Sequence, residues 1–375
     1  MKITSYIHPI RTYLPCTGIG RHTNQILLNL STRKDINLQL LFSQQWLGND
    51  SKLSTQCPLR DLPFNTFPYP ENLAERSWKL LGLPKLDHYI PEDTDWVYAP
   101  METYLPVSKC PIAITLHDIQ AFEPNLPWSN TWHHRWFAYK WSKWVSKALK
   151  DSRIVFTVSQ FSKQRMVELL GADANKIIVV GNGVEQCFFD ISSLSIEDLT
   201  LPVDFPYALV VGGLKYRKGA DAVVAVARAL QKTRSELKIV VIGQSETVYK
   251  EISQTESHLE VMGMITDQEL APLLRGASSL LFLSPYEGFG IPVLEAMAAR
   301  VPAVVANRAS LPEVVGDAGI VVEPEASDEI ADILLALLNN RQLRNDYIVR
   351  GLGQAQKYTW SSCAQKVLEA FNKFS

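Results

Sequence analysis

The stretch Leu280–Ala298, LLFLSPYEGFGIPVLEAMA, passes through three local structures in quick succession. Its apolar opening reads as a buried strand that ends at Pro285. A loop containing Gly288 and Gly290 follows, and Pro292 stands where a helix starts, a position at which its missing N–H is no loss. Strand, glycine loop and helix N-terminus in that order form the repeating unit of a parallel α/β sheet. The same succession recurs on both sides. ITSYI, LQLLF, WVYAP, IAITLH, RIVFTVS and KIIVVG precede it in the first half, and YALVVGG, KIVVIG, AVVAN and GIVVE surround it in the second, each followed by a longer helical pattern. The segment Glu185–Pro206 interrupts the alternation, being polar, without a strong period, and closed by Pro202 and Pro206. The expected organisation is therefore an N-terminal domain over 1–190, a linker over 191–206, a C-terminal domain over 207–355, and a closing helix over 356–375 that returns to the N-terminal domain. The fold class is α/β, with two doubly wound parallel-sheet domains facing across a cleft and ligands at the carboxyl ends of the strands.

Composition agrees with this. A chain of 375 residues, 46% hydrophobic and 20% charged, can bury a sizeable core. Its 37 Lys and Arg against 39 Asp and Glu give a net charge of −2, so the molecule as a whole has no bias toward nucleic acid. The five cysteines show no CxxC spacing, which argues against a disulfide framework or a zinc site and suits a reducing cytosol. The N-terminus reads as a short buried strand rather than a signal peptide, and no apolar run is long enough to span a bilayer, so a cytoplasmic location is expected.

Several segments carry chemistry. Backbone N–H groups at Gly288, Phe289, Gly290 and Ile291, at the positive end of a helix dipole, suit an anion such as a diphosphate. Glu287 and Glu295 do not share a helix face but can flank one ligand and accept hydrogen bonds from sugar hydroxyls; the bland alternative is a solvated loop acid and a helix-surface acid. In GGLKYRKG, Gly213 closes a strand and Arg217 and Lys218 precede a helix. A guanidinium and an ammonium there can clamp phosphates, whereas two ordinary surface cations at a helix start would oppose the dipole. Gly18 and Gly20 in GIGRHT form a truncated dinucleotide fingerprint, with Thr23 in the place of the third glycine and no acid about twenty residues on. Nicotinamide binding is not expected. His117 and Asp118 close the apolar strand IAITL, where side chains point to a cleft. Asp93-Thr94-Asp95 is a DxD triplet, but it precedes a strand and reads as an exposed turn, so no metal site is expected.

EGFGIPVLEAMA closely resembles the Glu, seven residues, Glu signature of family-four retaining glycosyltransferases, whose two Rossmann-like domains have the GT-B arrangement. The resemblance extends through TGIGRHTNQILLNL, ITLHDI, TVSQFSKQRMVELLG, KIIVVGNGVE, VVGGLKYRKGAD and ASLPEVVGDAGIVVEP. It implies that the C-terminal domain binds a nucleotide sugar, with Glu287 on the donor sugar, Glu295 on the ribose hydroxyls, and Arg217 and Lys218 on the diphosphate in place of a metal ion. It places Gly18 and Gly20 near donor phosphate and acceptor, His117 against the donor sugar and leaving phosphate, and the backbone from Gly263 to Ile265 against the nucleobase. No cofactor beyond the donor is implied. GDP-mannose is the first choice of donor, because GIGRHT, HDI and SQFSK look most like bacterial mannosyltransferases, with UDP-glucose and UDP-linked amino sugars behind it. A non-catalytic sugar-nucleotide-binding subunit and a nucleotide-sugar epimerase are the rivals. Gly181 stands where the family usually has Pro before Asn182, which loosens that loop and removes no functional group.

Three further expectations concern helices. Trp132–Lys150, WHHRWFAYKWSKWVSKALK, places Arg135, Lys140, Lys143, Lys147 and Lys150 on one arc and Phe137, Ala138, Trp141, Trp144, Val145 and Ala148 on the opposite one. It either packs its apolar arc on the sheet or meets an anionic membrane or lipid-linked acceptor, with Trp132 and Trp136 as headgroup-level anchors. Ser310 and Glu313 are expected to form a capping box in SLPE, and Asp267 to precede the helix QELAPLLRGA.

Overall fold

The computed structural model describes residues 1–14 and 16–375. It divides into two compact units, the first of residues 1–183 with 360–375, the second of residues 184–359. The first unit is built on β1 (Lys2–Tyr6), β2 (Asn37–Ser43), β3 (Phe64–Phe67), β4 (Trp96–Ala99), β5 (Ile112–Thr115), β6 (Ile154–Thr157) and β7 (Ile177–Val179). The second is built on β8 (Tyr207–Val211), β9 (Lys238–Ile242), β10 (Leu259–Met262), β11 (Ser279–Phe282), β12 (Ala303–Ala306) and β13 (Ile320–Val322).

Every strand pairing is parallel. The orders are β3-β2-β1-β4-β5-β6-β7 and β10-β9-β8-β11-β12-β13. A parallel sheet needs a crossover after each strand, and the helices that make the crossovers bury both faces, so the strands are apolar throughout rather than alternating. WVYA, IAIT and IVFT of the first sheet, and SLLF and AVVA of the second, are buried at every residue. In each sheet the chain first winds outward from the central strand and then reverses, between β1 and β4 and between β8 and β11. At those reversals the loops leaving adjacent strands diverge and open a crevice at the carboxyl ends.

The division between the units falls after Gly183, ahead of the boundary expected at 190, and 191–206 counts with the second unit. The helix Trp360–Phe374 belongs to the first unit, where Phe371 packs on Trp96, Tyr98 and Phe156 at ring-centre distances of 5.0, 5.7 and 5.6 Å. Residues 356–359, expected in that same segment, lie in the second unit. Two strands, β3 and β10, had no counterpart among the apolar runs. Both are edge strands. With only one paired neighbour they tolerate Asn65, Thr66 and Glu260, which dilute the signal.

Candidate active site at two sheet switch points

In the second unit the chain leaves β8 through Gly212 and Gly213, makes the tight turn Tyr216–Lys218, and enters the helix Ala220–Lys232. It leaves β11 through Ser284–Gly290 and enters the helix Ile291–Ala298. These exits flank the switch point, and a side-chain contact joins them: Lys218 Nζ donates to Glu287 Oε1 at 2.6 Å. An ammonium and a carboxylate this close make a charge-assisted hydrogen bond, here with Lys218 about a third exposed and open to solvent screening. The loop that carries Glu287 is itself held. Ser310 Oγ lies 2.8 Å from the Glu287 carbonyl and 3.1 Å from that of Phe289, and the buried Phe289 ring meets Tyr358 edge-on at 5.6 Å.

Gly290 ends the loop at φ +105°, a left-handed conformation in which a Cβ would also approach Leu311 to 2.8 Å. The first backbone N–H groups of the helix Ile291–Ala298 follow directly, with Pro292 at its start. Glu295, further along that helix, is buried. Beside this crevice, at the ends of β9 and β10, lies a cavity of about 750 Å³ lined in part by Gly243, Gln244, Lys250, Glu260, Gly263 and Met264. Gly243 N–H donates to the Gly263 carbonyl at 3.0 Å, so the glycine exits of adjacent strands interlock. The structure thus brings Gly213, Arg217, Lys218, Glu287, Gly288, Phe289, Gly290, Ile291 and Glu295 to the exits of two neighbouring strands, with Gly263 lining the adjoining cavity and the half-buried Ile265 just past it.

The first unit is assembled differently. After β1 the chain forms the turn Pro9–Thr12 and then the helix Gly18–Ser31; Gly20 is obligatory there, because a Cβ would fall 1.9 Å from the Arg11 carbonyl oxygen. His117 follows β5 and is buried. Its Nδ1 and its backbone N–H both lie on Glu102 Oε1, at 2.8 and 3.1 Å, and its carbonyl accepts from Ser162 Oγ at 3.2 Å. Glu102 follows β4, the strand between β5 and the switch point. Burial by itself would raise its carboxyl, but the His117 ring and the two hydrogen bonds pull it down to about 2. Arg11 stands 4.0 Å from its second oxygen.

A second buried histidine, His22, meets His117 edge-on with ring centres 4.7 Å apart. His22 Nδ1 lies 2.8 Å from Asn182 Oδ1, which only accepts, so Nδ1 carries the proton. Burial and the neighbouring His117 hold His22 down at about 3, neutral at physiological pH. The Nε2 atoms of both histidines are buried and have no hydrogen-bond partner among the described residues. Buried polar atoms in that state are uncommon and mark a place where a ligand group can bond.

Other expectations fall out differently. Asp118 turns its Oδ1 onto the Gln120 backbone N–H at 3.0 Å and starts the turn Gln120–Phe122, so it shapes the loop after His117. The capping box of Ser310 and Glu313 does not form: Ser310 is already helical (φ −80°, ψ −8°), and its hydroxyl goes to the Glu287 loop instead. The cap of the helix Asp267–Gly276 is Thr266, paired with Glu269 in a capping box, and Asp267 lies one residue inside. The DxD triplet fastens the amino end of the first sheet, with Asp95 accepting from the Lys2 backbone N–H at 2.7 Å and Asp93 paired with the Lys2 ammonium. Among the described residues no group of three or more His, Cys, Asp or Glu is arranged to hold a metal ion. Glu102 and His22 are the residues the sequence reading passed over; the only signal for Glu102 was its place just beyond a strand end.

Two family models match the chain, one described as Glycosyl transferases group 1 over residues 193–352 and one described as Glycosyltransferase Family 4 over residues 42–186. The O-antigen chain mannosyltransferase B of Escherichia coli is 26% identical over 390 residues, spanning 99% of this chain and 99% of that protein. The phosphatidyl-myo-inositol mannosyltransferase of Mycolicibacterium smegmatis is 26% identical over 228 residues, 58% of this chain and 56% of that protein. Among solved structures, a glycosyltransferase from Rickettsia africae superposes with a TM-score of 0.72 at 17% identity, covering 100% of this chain and 98% of that one. Anabaena HepE, solved with UDP and glucose, superposes at 0.68 and 17% identity, covering 99% of each chain. At those identities the structures speak for the fold, which is the two-domain GT-B architecture.

Proposed function

The chain belongs to the family-four glycosyltransferases, and from that premise we propose that it is a metal-independent retaining hexosyltransferase that moves mannose from GDP-mannose to a hydroxyl of a growing glycan, carried on a lipid at the cytoplasmic face of a membrane. The contact that carries this reading is Lys218 to Glu287 across the switch point of the second sheet, beside the N-terminus of the helix Ile291–Ala298. A diphosphate placed there meets an ammonium, the Arg217 guanidinium and the backbone N–H groups of a helix start, all of the right sign. Glu287 then accepts from the donor sugar, and Glu295 from the ribose. The neighbouring cavity takes the base against the backbone from Gly263 to Ile265, and the mannose preference is supported by the relatives named above.

In the reaction the bond from the anomeric carbon to the diphosphate oxygen breaks and the acceptor oxygen bonds to that carbon from the same face. The acceptor proton passes to the departing phosphate oxygen. The protein's part is to hold charge and orientation. His117, whose Nδ1 is held by Glu102, is assigned an orienting rather than a proton-abstracting role through its Nε2.

The test is direct. The protein is melted with GDP-, UDP- and ADP-sugars in turn, and the donor that raises the melting temperature most is incubated with a glycan acceptor, with and without a chelator. The expected result is selective stabilisation by GDP-mannose and an α-linked product formed equally in both. Selective stabilisation by a UDP-sugar moves the donor assignment to the second choice, and loss of product with chelator overturns metal independence. Nucleotide binding with no glycosidic product under any donor identifies a binding subunit.

A further inference from the structure

The helix Trp132–Asp151 does not sit as its periodicity suggests. Its second half is anchored, with Trp144, Val145, Ala148 and Leu149 buried. Its first half is not: from Trp132 to Lys140 no residue is buried, and Phe137, which the periodicity assigns to the covered arc, is 43% exposed. Trp132 is 77% exposed, and Trp136 and Tyr139 are exposed with it. A soluble surface seldom leaves so many aromatic rings uncovered in little more than two turns.

These rings are interleaved with cations. Trp132 stacks on Trp136 at 6.4 Å, Lys140 Nζ lies 3.5 Å from the Trp136 ring centre, and Lys143 Nζ lies 4.6 Å from that of Tyr139. At 100° per residue, Trp132, Trp136, Tyr139, Lys140, Lys143, Lys147 and Lys150 share one arc. The helix has no acid in its first turn, and its first cation, Arg135, lies near the positive end of the dipole, an arrangement that costs stability unless an anion meets it. Asn130, Trp132, Arg135, Trp136 and Tyr139 line a hollow of about 480 Å³.

A second exposed apolar element flanks this arc. The helix Glu71–Leu81 packs Lys79 over Trp144 at 5.0 Å, and Gly82, at its end, lies against the Lys147 ammonium. Around that end Leu80 (78%), Leu81 and Leu83 are exposed to solvent. Lysines and aromatic rings alone could serve a nucleic acid. Uncovered leucines next to them have no counterpart there but do have one in a bilayer, where ammonium groups meet lipid phosphates, Trp and Tyr lie at headgroup depth, and aliphatic chains enter the acyl boundary.

We infer that this face docks on the anionic surface of a lipid bilayer, with a lipid phosphate in the Arg135 hollow, the lysine arc over neighbouring headgroups, and Trp132, Trp136 and the Leu80–Leu83 corner set into the interface. It is a peripheral contact; among the described residues no helix is long and apolar enough to cross a membrane. The inference rests on the reading of a lipid-carried acceptor for its biological sense, but it is tested without donor or acceptor. The intact chain is floated with vesicles of phosphatidylcholine alone and of phosphatidylcholine with phosphatidylglycerol.

Binding is expected to be about tenfold or more tighter to the anionic vesicles and to weaken as salt screens the attraction of the cations for the surface. Lys140→Glu with Lys143→Glu should lower it by about tenfold or more. Trp132→Ala with Trp136→Ala should weaken it on both vesicle types, and both variants should keep the thermal shift with donor nucleotide that shows them folded. Equal binding to the two vesicle types, binding unchanged in both variants, full displacement by soluble glycerol phosphate, or a tighter grip on a single-stranded oligonucleotide overturns the inference. Failure of the donor screen with vesicle binding intact would instead sink the proposed reaction alone.

Discussion

At the switch point of the first unit the candidate site is made by side chains from widely separated segments: the buried His22, His117 and Asn182, the Glu102 carboxylate, and the exposed Arg11 beside it. At that of the second unit it is made by two short loops, with glycines, backbone N–H groups and the partly buried pair Lys218 and Glu287. The sheets have the same winding, so topology does not explain the difference. Charge does. A site for a diphosphate needs positive groups already in place and room for backbone to approach, which a loop supplies locally. A site that orients neutral hydroxyls and one imidazole needs side chains locked against each other, which only packing supplies.

The largest test of this contrast is Lys218→Ala, expected to cut turnover about a hundredfold or more, the scale of losing one preorganised charge partner. Near-normal turnover in steady-state assays would remove the second site from the reaction. Glu102→Gln is the matching change in the first unit. It keeps the shape but loosens the imidazole, and turnover should drop about tenfold or somewhat more, as for a group displaced from its aligned position. Donor-induced thermal stabilisation should stay at the wild-type value, because the proposed nucleotide site is in the other unit. An equal loss of donor binding would mean that Glu102 supports more than His117.

A third test reads the buried histidine through pH. His22 titrates at about 3 in the folded chain, well below its unfolded value, so between about pH 6.5 and 3 the unfolded state binds more protons and stability falls as pH falls. Glu71 acts in the opposite sense, since burial raises it to about 7 and the folded form takes up its proton first as pH drops. That contribution is common to wild type and variant. The melting temperature of His22→Gln should therefore decline less steeply than that of the wild type from about pH 7 to 4. Parallel curves would show that His22 is not the group buried neutral. The smallest effect is expected from Asp93→Asn with Asp95→Asn, remote from both crevices at the amino end of the first sheet. Turnover should stay within about twofold, as for surface changes that touch no site. A larger loss would give the DxD triplet a function that its pairing with Lys2 does not suggest.

The same contrast explains what could be read early. The glycine, proline and cation spacings of the second site lie within single loops, so Gly213, Arg217, Lys218, Glu287 and Gly290 were all visible as residues of one design. In the first unit His117 was visible as a residue at a strand end, but its partner Glu102 was not, because nothing near Glu102 announces an imidazole fifteen residues away. The local pattern SLPE suggests a helix cap for Ser310, yet its hydroxyl serves a loop more than twenty residues earlier. The periodicity of Trp132–Lys150 gives the arcs and leaves open whether Phe137, 43% exposed in the fold, is covered, since an arc states which residues share a side and not whether anything covers that side.

The amino-acid order by itself determined the two parallel α/β sheets, the glycine loops at the exits of β8 and β11, and the family, because buried strands, turns and helix starts depend on neighbours in the chain. Only the folded protein decided that His22 would find Asn182 across 160 residues, that the edge strands β3 and β10 would join their sheets, and that half of an aromatic helix would stand uncovered. Those outcomes depend on which surfaces meet after the chain closes, and contacts between distant segments leave no periodic mark on either one.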